Sequence, residues 1–203
     1  MPLGDWISAN WFEIVAAITG ATSVFLSARQ NIWSWPTAIV NVSLYTVVFY
    51  REGLYSDTGL QVVYLILSIY GWHQWLYGGA QHSTLKVSRA SHRMLLVSLA
   101  AGVGFWLAVG TLTSRLPGSS LSYLDAALTT TSLVAQWMMT RKILENWILW
   151  IIADLVYVPM FLYKGLYVTA ALYAVFLALA IMGFVSWRRS WTRDRPATAP
   201  AIA

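Results

Sequence analysis

Cysteine is absent from this chain, and charged residues are scarce. With no cysteine among the 203 residues, neither a disulfide nor a thiolate metal site is available. Charged residues make up 10% of the sequence, against about 25% in soluble domains, and 58% of the residues are hydrophobic. The three histidines, His73, His82 and His92, form no recognisable ligand pattern. We therefore predict an all-α integral membrane protein with no metal site and no cofactor.

Motifs of membrane-embedded enzymes are also missing. The sequence contains neither a His-Glu-x-x-His zinc motif nor a Gly-x-Gly-Asp element. Asp125 and Asp154 are candidates for a protease dyad, because paired carboxylates can share a proton. However, Asp125 lies near the end of one apolar segment and Asp154 near the middle of the next. With no nucleophile and base in one place, we predict that the protein is not an enzyme.

Seven apolar segments are each long enough to cross a bilayer. They cover approximately residues 11–28, 33–50, 56–77, 94–112, 121–140, 145–163 and 166–187. A polar stretch at 78–93 separates the third segment from the fourth, and Pro117 to Ser120 form a turn signal before the fifth. Residues 188–203 are basic and then rich in alanine and proline, which predicts a disordered tail.

Lysine and arginine predict the orientation of the chain, because they concentrate in the cytoplasmic loops of membrane proteins. With the N-terminus outside, the inner regions hold ten basic residues: Arg29, Lys86, Arg89, Arg93, Arg141, Lys142, Arg188, Arg189, Arg193 and Arg195. The outer regions hold three: Arg51, Arg115 and Lys164. We predict an outside N-terminus and a cytoplasmic C-terminus. The same loop charges account for the net charge of +5, so we predict no nucleic-acid partner.

An internal repeat is visible at one constant difference in residue number, the repeat offset, which separates Arg29 from Arg141. Other matches at this offset include Trp35 with Trp147, Tyr45 with Tyr157, Phe49 with Phe161, Gly53-Leu54-Tyr55 with Gly165-Leu166-Tyr167, Gly71 with Gly183, and Trp75 with Trp187. Residues 11–77 thus form one three-helix repeat, 121–187 form the second, and 94–112 form a linker helix. One intervening span keeps both repeats in the same orientation, which predicts a parallel 3+1+3 fold. Such folds place the substrate site near the membrane midplane, at the interface between the repeats.

The sixth segment carries an aromatic and acidic face. Trp147, Trp150, Asp154 and Tyr157 are spaced by three and four residues, so they share one side of a helix. A charge at membrane depth is costly and normally faces a cavity or a protein interior. Asp154 is therefore a candidate for a substrate cavity, the alternative being a carboxylate tied to a neighbouring helix. Trp150 lies only about 6 Å from the midplane at 1.5 Å per residue, which makes it a pocket candidate with Trp147 beside it.

Polar residues in four other segments complete the candidate substrate site. Asn41 lies near the middle of the second segment, where it either faces a shared cavity or ties two helices together by hydrogen bonding. Gln61 and Tyr64 lie on one face of the third segment, and Gln136 is the strongest polar candidate in the fifth. Tyr173 in the seventh segment is a candidate for closing the cavity.

Tryptophan is frequent, with twelve residues. Amphipathic indole rings concentrate where the bilayer meets water. The tryptophans at segment ends are therefore predicted to form an interfacial belt: Trp11, Trp33, Trp75, Trp187 and Trp191.

Trp147 and Trp150 form a W-x-x-W motif, and residues 164–173 read K-G-L-x-x-T-A-x-L-Y. These motifs are the most specific part of a resemblance that covers all seven segments, to the PnuC family of bacterial vitamin transporters. Leu60 to Trp75 is similar to the family's third-segment pattern. The resemblance implies a 3+1+3 fold like that of the SWEET sugar transporters, a homotrimer, and a place in the bacterial inner membrane. It also implies facilitated diffusion of nicotinamide riboside, with trapping by intracellular phosphorylation.

The resemblance leaves the vitamin open, because members of the family are known for thiamine and riboflavin as well. The W-x-x-W motif is associated with nicotinamide riboside, and its flat pyridinium cation suits an aromatic face. Thiamine is also a flat cation, so this argument disfavours riboflavin but does not separate the other two vitamins. A proton-coupled carrier that uses Asp154 as a relay is a further alternative.

Overall fold

Seven α-helices make up most of the computed structural model, which describes residues 3–51, 53, 55–114 and 122–194. They are α1 (Leu3–Ala28), α2 (Ser34–Arg51), α3 (Tyr55–Tyr77), α4 (His92–Thr113), α5 (Ser122–Thr140), α6 (Asn146–Tyr163) and α7 (Tyr167–Arg193). A short 3₁₀ helix covers Ala80–His82. Each predicted segment coincides with one helix, and the predicted all-α fold is confirmed.

The two outer ends of the helical region differ from the prediction. Helix α1 begins at Leu3 rather than near residue 11, and α7 continues to Arg193. The predicted disordered tail is therefore wrong for residues 188–193. Arginine is a good helix former, and no proline interrupts this last stretch of α7. Residues 195–203 of the tail and the predicted turn at Pro117 to Ser120 lie outside the described residues.

Six of the helices form a closed ring. The main helix contacts run from α1 to α2, α3, α5, α6 and α7 in that order, and α7 packs back against α1. Helix α4 lies outside the ring and packs against α5. The ring contacts are symmetric between its two halves. If α1 exchanges places with α5, α2 with α6, and α3 with α7, the same pairs of helices are in contact.

Hydropathy differs among the helices because some of them carry the polar residues that face the ring interior. Within the described chain, His92–Leu112, Asn146–Tyr163 and Tyr167–Arg193 are long and apolar enough to cross a membrane by composition alone. Helices α2, α3 and α5 are less apolar and supply Asn41, Gln61 and Gln136 to an internal cavity.

Backbone conformation recurs at the repeat offset. Gln30 and Lys142 have φ angles of 56° and 50°, and Gly53 and Gly165 have φ angles of 72° and 74°. Both glycines of the repeated Gly-Leu-Tyr triplet therefore have positive φ. Only glycine enters this region without a steric cost, so the same turn joins α2 to α3 and α6 to α7 for the same reason.

Valine at Gly53 or Gly165 is expected to lower the melting temperature in detergent by roughly 2–8 °C, since left-handed backbone costs about 1–2 kcal/mol with a side chain. An added Cβ atom would meet nothing within 4 Å at either position, so the effect isolates backbone strain. Gly59→Val is the matched control, because Gly59 has the same open surroundings without a positive φ. Melting curves in which all three variants coincide would remove the strain argument.

Four tryptophans form a buried cluster at the end of the ring where α1, α3, α5 and α7 end. The rings of Trp35 and Trp75 meet edge to face at 5.2 Å, and those of Trp147 and Trp187 do so at 5.4 Å. Trp75 and Trp187 join the two pairs at 5.7 Å. Gly71 and Gly183 make room for this packing, because a Cβ atom at either would collide with the ring of Trp35 or Trp147.

Two indole hydrogen bonds link the halves of the ring at this cluster. Trp75 Nε1 donates to the carbonyl of Met139, and Trp187 Nε1 donates to the carbonyl of Ser27, both at 3.0 Å. Ser27 and Met139 are themselves counterparts at the repeat offset. The prediction that Trp75 and Trp187 belong to an interfacial belt is wrong, since they are 2% and 0% exposed. Their position at helix ends is the same as that of belt residues, but their side of the helix faces inward.

The loop between α3 and α4 covers the tryptophan cluster. Ser88 lies on this loop and Leu144 lies on the α5–α6 turn, and Leu144 N donates to the carbonyl of Ser88. Val87, also on the loop, is buried against the cluster. Lys142 Nζ donates to the carbonyl of Leu85 at 2.9 Å and lies 4.5 Å from the centre of the Trp75 ring. Burial lowers the pKa of Lys142 to about 8. This end of the ring is therefore closed by packed side chains and a covering loop.

Candidate functional site

A cavity of about 780 Å³ lies inside the helix ring. All eight residues predicted for the substrate site line it: Asn41, Gln61, Tyr64, Gln136, Trp147, Trp150, Asp154 and Tyr173. They come from α2, α3, α5, α6 and α7, so residues far apart in the sequence converge because the ring closes. A cavity of this size is within the range of sites for small organic ligands.

Helix α6 supplies a stripe along the length of the cavity. Trp147, Trp150, Asp154, Tyr157 and Phe161 all line it, and the stripe spans about 21 Å at 1.5 Å per residue. Because these residues are spaced by three and four, one side of a single helix presents aromatic rings on both sides of a carboxylate.

Asp154 is 4% exposed, and in the part of the chain that the structure describes it makes no hydrogen bond or ion pair. The alternative of a carboxylate tied to a neighbouring helix therefore finds no partner there. A buried carboxylate without compensation is costly, so a ligand that brings positive charge to it gains binding energy. Asp57, Asp125 and Lys164 are the other charged residues in the described ranges that line the cavity.

An aromatic wall stands beside this carboxylate. The ring of Tyr173 lies 4.7 Å from that of Tyr157, 4.9 Å from that of Phe161 and 5.6 Å from that of Phe176, measured between centroids. Trp150 lines the cavity as a half-buried ring one turn of α6 away from Asp154. These flat surfaces suit a planar ligand.

Trp147 has a different environment from Trp150. Its ring is 1% exposed and packs against Trp187 and Gly183. It reaches the cavity only at its closed end, together with Trp35. The structure therefore favours Trp147 as a packing residue that fixes the start of α6, and Trp150 as the ring that is available to a ligand.

Asn41 combines the two interpretations left open by the sequence. Its side-chain amide donates to the carbonyl of Ala16 and lies 3.4 Å from the hydroxyl of Thr19, so it ties α2 to α1. It also lines the cavity. Gln61 and Gln136 line the cavity from α3 and α5, and neither amide makes a hydrogen bond to another residue in the described ranges. These two amides are free to pair with a polar ligand.

The cavity is directed toward one end of the ring. At one extreme it meets Trp35 and Trp147, which belong to the closed tryptophan cluster. At the other extreme it is lined by Asp57 at the start of α3, Asp125 at the start of α5 and Lys164 at the end of α6. In the described ranges the tryptophan cluster closes one end, so the end that carries the α2–α3 and α6–α7 turns is the candidate entrance for a ligand.

Sequence reasoning missed some residues of the cavity. Tyr45 and Phe49 stack at 5.6 Å and line it from α2, as Tyr157 and Phe161 stack at 5.7 Å from α6. The signal was available in the repeat, because each residue of the first pair precedes its counterpart in the second by the repeat offset. An inward-facing residue in one half predicts an inward-facing residue in the other.

Comparisons with known proteins agree with this architecture. The sequence profile described as nicotinamide mononucleotide transporter matches residues 10–189. The nicotinamide riboside transporter PnuC of Escherichia coli is 26% identical over 215 residues, which covers 94% of this chain and 90% of that protein. The riboflavin/roseoflavin transporter RibM of Streptomyces davaonensis is 28% identical over 198 residues, covering 95% and 90%.

A solved structure shows the same fold. The crystal structure of the vitamin B3 transporter PnuC superimposes with a TM-score of 0.72 at 25% identity, covering 92% of this chain and 84% of that one. The predicted resemblance to PnuC is confirmed, and so is an integral membrane fold of helices. Since the family profile spans nearly all of α1 to α7, the chain belongs to the nicotinamide mononucleotide transporter family, whose members are multi-pass membrane transporters and not enzymes.

Proposed function

We propose that this protein takes up nicotinamide riboside across the bacterial inner membrane by facilitated diffusion. The observation that carries the proposal is Asp154, a buried carboxylate without a partner in the described chain, one helical turn from the half-buried ring of Trp150. A pyridinium cation is stabilised by a carboxylate and by the face of an indole ring. The relatives named as nicotinamide riboside transporters support the same substrate.

Electrostatics separate this substrate from riboflavin. Relatives of both kinds are similar to this chain to nearly the same degree, so identity alone does not choose between the vitamins. Among the described residues, three carboxylates (Asp57, Asp125 and Asp154) and one cation (Lys164) line the cavity, which favours a positively charged ligand. The isoalloxazine ring of riboflavin is neutral at pH 7 and gains nothing from this charge. Thiamine is the alternative, and the free amides of Gln61 and Gln136 favour the carboxamide of nicotinamide riboside over it.

A binding titration tests this order of preference. The purified chain in detergent is titrated by calorimetry with nicotinamide riboside, thiamine and riboflavin. We expect nicotinamide riboside to bind most tightly, thiamine more weakly and riboflavin weakest. Riboflavin binding more tightly than both cations would overturn the electrostatic argument and place the chain with the riboflavin transporter in its preference.

The passive mechanism predicts that uptake into liposomes stops when the internal and external vitamin concentrations are equal. Inside a cell, phosphorylation of the riboside then traps it, because the added phosphate carries negative charge, which a cavity lined by carboxylates disfavours. A proton-coupled carrier with Asp154 as relay is the competing mechanism. Uptake that exceeds the external concentration, and that an ionophore abolishes, would support coupling and contradict facilitated diffusion.

The parallel 3+1+3 arrangement and the homotrimer belong to the same proposal. In support of the repeats, the ring contacts, the φ angles at Gly53 and Gly165, and the two cross-linking indole bonds all recur at the repeat offset. The resemblance to PnuC implies the trimer. Helix α4 has room for a neighbouring subunit, since Leu96, Leu99 and Leu112 are exposed on it.

The proposed orientation places the closed tryptophan end on the cytoplasmic side, with the N-terminus outside. Single cysteines are clean probes because the chain has none of its own. Ser83→Cys and Ser190→Cys are expected to resist an impermeant thiol reagent in intact cells, whereas Ser119→Cys, in the α4–α5 link, is expected to react. Permeabilised cells provide the control, in which all three should be labelled. Labelling of Ser83→Cys in intact cells would reverse the orientation.

A further inference from the structure

A second, basic groove lies on the outer side of the ring, between the end of α1 and the last turns of α7. It has a volume of about 690 Å³ and is lined by Arg29, Arg189 and Arg193 together with Ser186 and Ser190. We propose that this groove binds the phosphate headgroup of an anionic phospholipid. The proposal rests on the membrane setting of the helices and not on which vitamin the cavity carries.

The charge of the groove is uncompensated. In the described ranges no carboxylate lies within ion-pairing distance of Arg29, Arg189 or Arg193. Ser186, Arg189, Ser190 and Arg193 are spaced by three and four residues, so they face the end of α1 from one side of α7. Guanidinium groups match the geometry of phosphate oxygens with paired N–H donors, and the serine hydroxyls add further donors.

The apolar part of the groove favours a lipid over a soluble phosphate compound. Met182 and Val185 line the groove on the bilayer side of the arginines. Phe25 and Ile181 are exposed on the same stretch of α1 and α7. A headgroup held by the arginines would thus continue into acyl chains that lie along apolar side chains. Basic pockets between helices at the cytoplasmic surface are a known form of anionic-lipid site.

The other half of the ring shows what happens when the equivalent groove is filled by the protein itself. Arg141, the counterpart of Arg29, donates to the hydroxyl of Tyr70 at 3.1 Å. Position 182, the counterpart of Tyr70, is methionine, which offers Arg29 no such acceptor. The loop between α3 and α4 also binds Lys142 on that side, whereas its counterpart Gln30 lines the open groove. One groove is therefore satisfied internally and the other is left for a ligand.

Native mass spectrometry of the full chain in detergent tests the proposal. The protein is titrated with phosphatidylglycerol or with phosphatidylcholine, and bound lipid is counted. We expect one or more phosphatidylglycerol molecules to be retained at concentrations where phosphatidylcholine is not. Each arginine near an anionic headgroup contributes about a factor of five in affinity, so the triple variant R29Q/R189Q/R193Q should bind phosphatidylglycerol roughly a hundredfold more weakly.

A second triple variant, K86Q/R93Q/R188Q, is the matched control. It removes the same charge from exposed basic residues near the same end of the ring that do not line the groove. Parent-like binding by this control supports the site, and an equal loss in both triple variants would overturn it as general charge attraction. A parallel titration with inorganic phosphate distinguishes the source. If phosphate alone displaces the lipid at equimolar concentration, the acyl chains contribute no affinity and the lipid assignment is wrong.

Discussion

Replacing Asp154 by asparagine is expected to lower the affinity for nicotinamide riboside by roughly ten- to hundredfold, since interactions with a charged partner are worth about 1.5–3 kcal/mol. The carboxylate is buried in the cavity and has no partner in the described chain, so its charge is available to the pyridinium ring. Asparagine has nearly the same shape, so the loss reports the charge and not the packing. Calorimetry on the purified variant measures the effect.

Asp194→Asn is the matched control for this substitution. Asp194 is exposed at the end of α7, outside the cavity, and the same chemical change there should leave the affinity as in the parent. A neutral analogue, in which the pyridinium is replaced by a benzene ring, should bind the parent and Asp154→Asn equally. Parent-like affinity for nicotinamide riboside in a folded Asp154→Asn protein would show that the carboxylate does not recognise the cation.

Truncating Trp150 to alanine is expected to lower the affinity by roughly two- to thirty-fold, because a cation–π contact is worth about 0.5–2 kcal/mol and most when desolvated. Trp150 is the half-buried indole in the cavity next to Asp154. Trp150→Phe should lose less, since a flat aromatic face remains. Calorimetry with nicotinamide riboside gives the order parent, phenylalanine, alanine from tightest to weakest.

Trp33→Ala is the control for the two Trp150 variants. Trp33 is 65% exposed at the start of α2, as expected of an interfacial residue, so its loss should leave the affinity nearly unchanged. All three variants must first give parent-like melting curves. If a folded Trp150→Ala protein binds as the parent does, Trp150 leaves the site, and the amides of Gln61 and Gln136 become the better candidates for recognition.

Helix positions were predictable from the sequence because apolar length is a strong local signal, whereas the direction of a side chain at a helix end was not. Trp33 and Trp75 both lie at helix ends, yet one is exposed and the other is buried. At a helix end, a side chain that faces inward and one that faces outward lie at the same depth in the membrane, so depth does not distinguish them. The distinction depends on which neighbour the helix meets, and Gly71 and Gly183 provide the space that makes the inward choice possible.

The cavity residues were predictable for a different reason. A polar group in an apolar helix is costly to expose to lipid, so Asp154, Gln61 and Gln136 were expected to face inward, and they do. Trp147 shows the limit of that reasoning. It shares a helix side with Trp150, but its ring packs against Trp187, which lies at the far end of the next helix in the chain and comes close only after the ring has closed. Substrate binding by these residues stays a prediction.

The closed end of the ring relies on main-chain oxygens. Trp75 and Trp187 donate to carbonyl groups of Met139 and Ser27, and every residue type offers that same acceptor. Substitutions at the accepting positions therefore leave each bond its acceptor, whereas loss of either indole removes the bond. The acceptor is methionine in one half and serine in the other, and both bonds are 3.0 Å long. In each of these hydrogen bonds the accepting position therefore tolerates any residue type, whereas the donating position requires tryptophan.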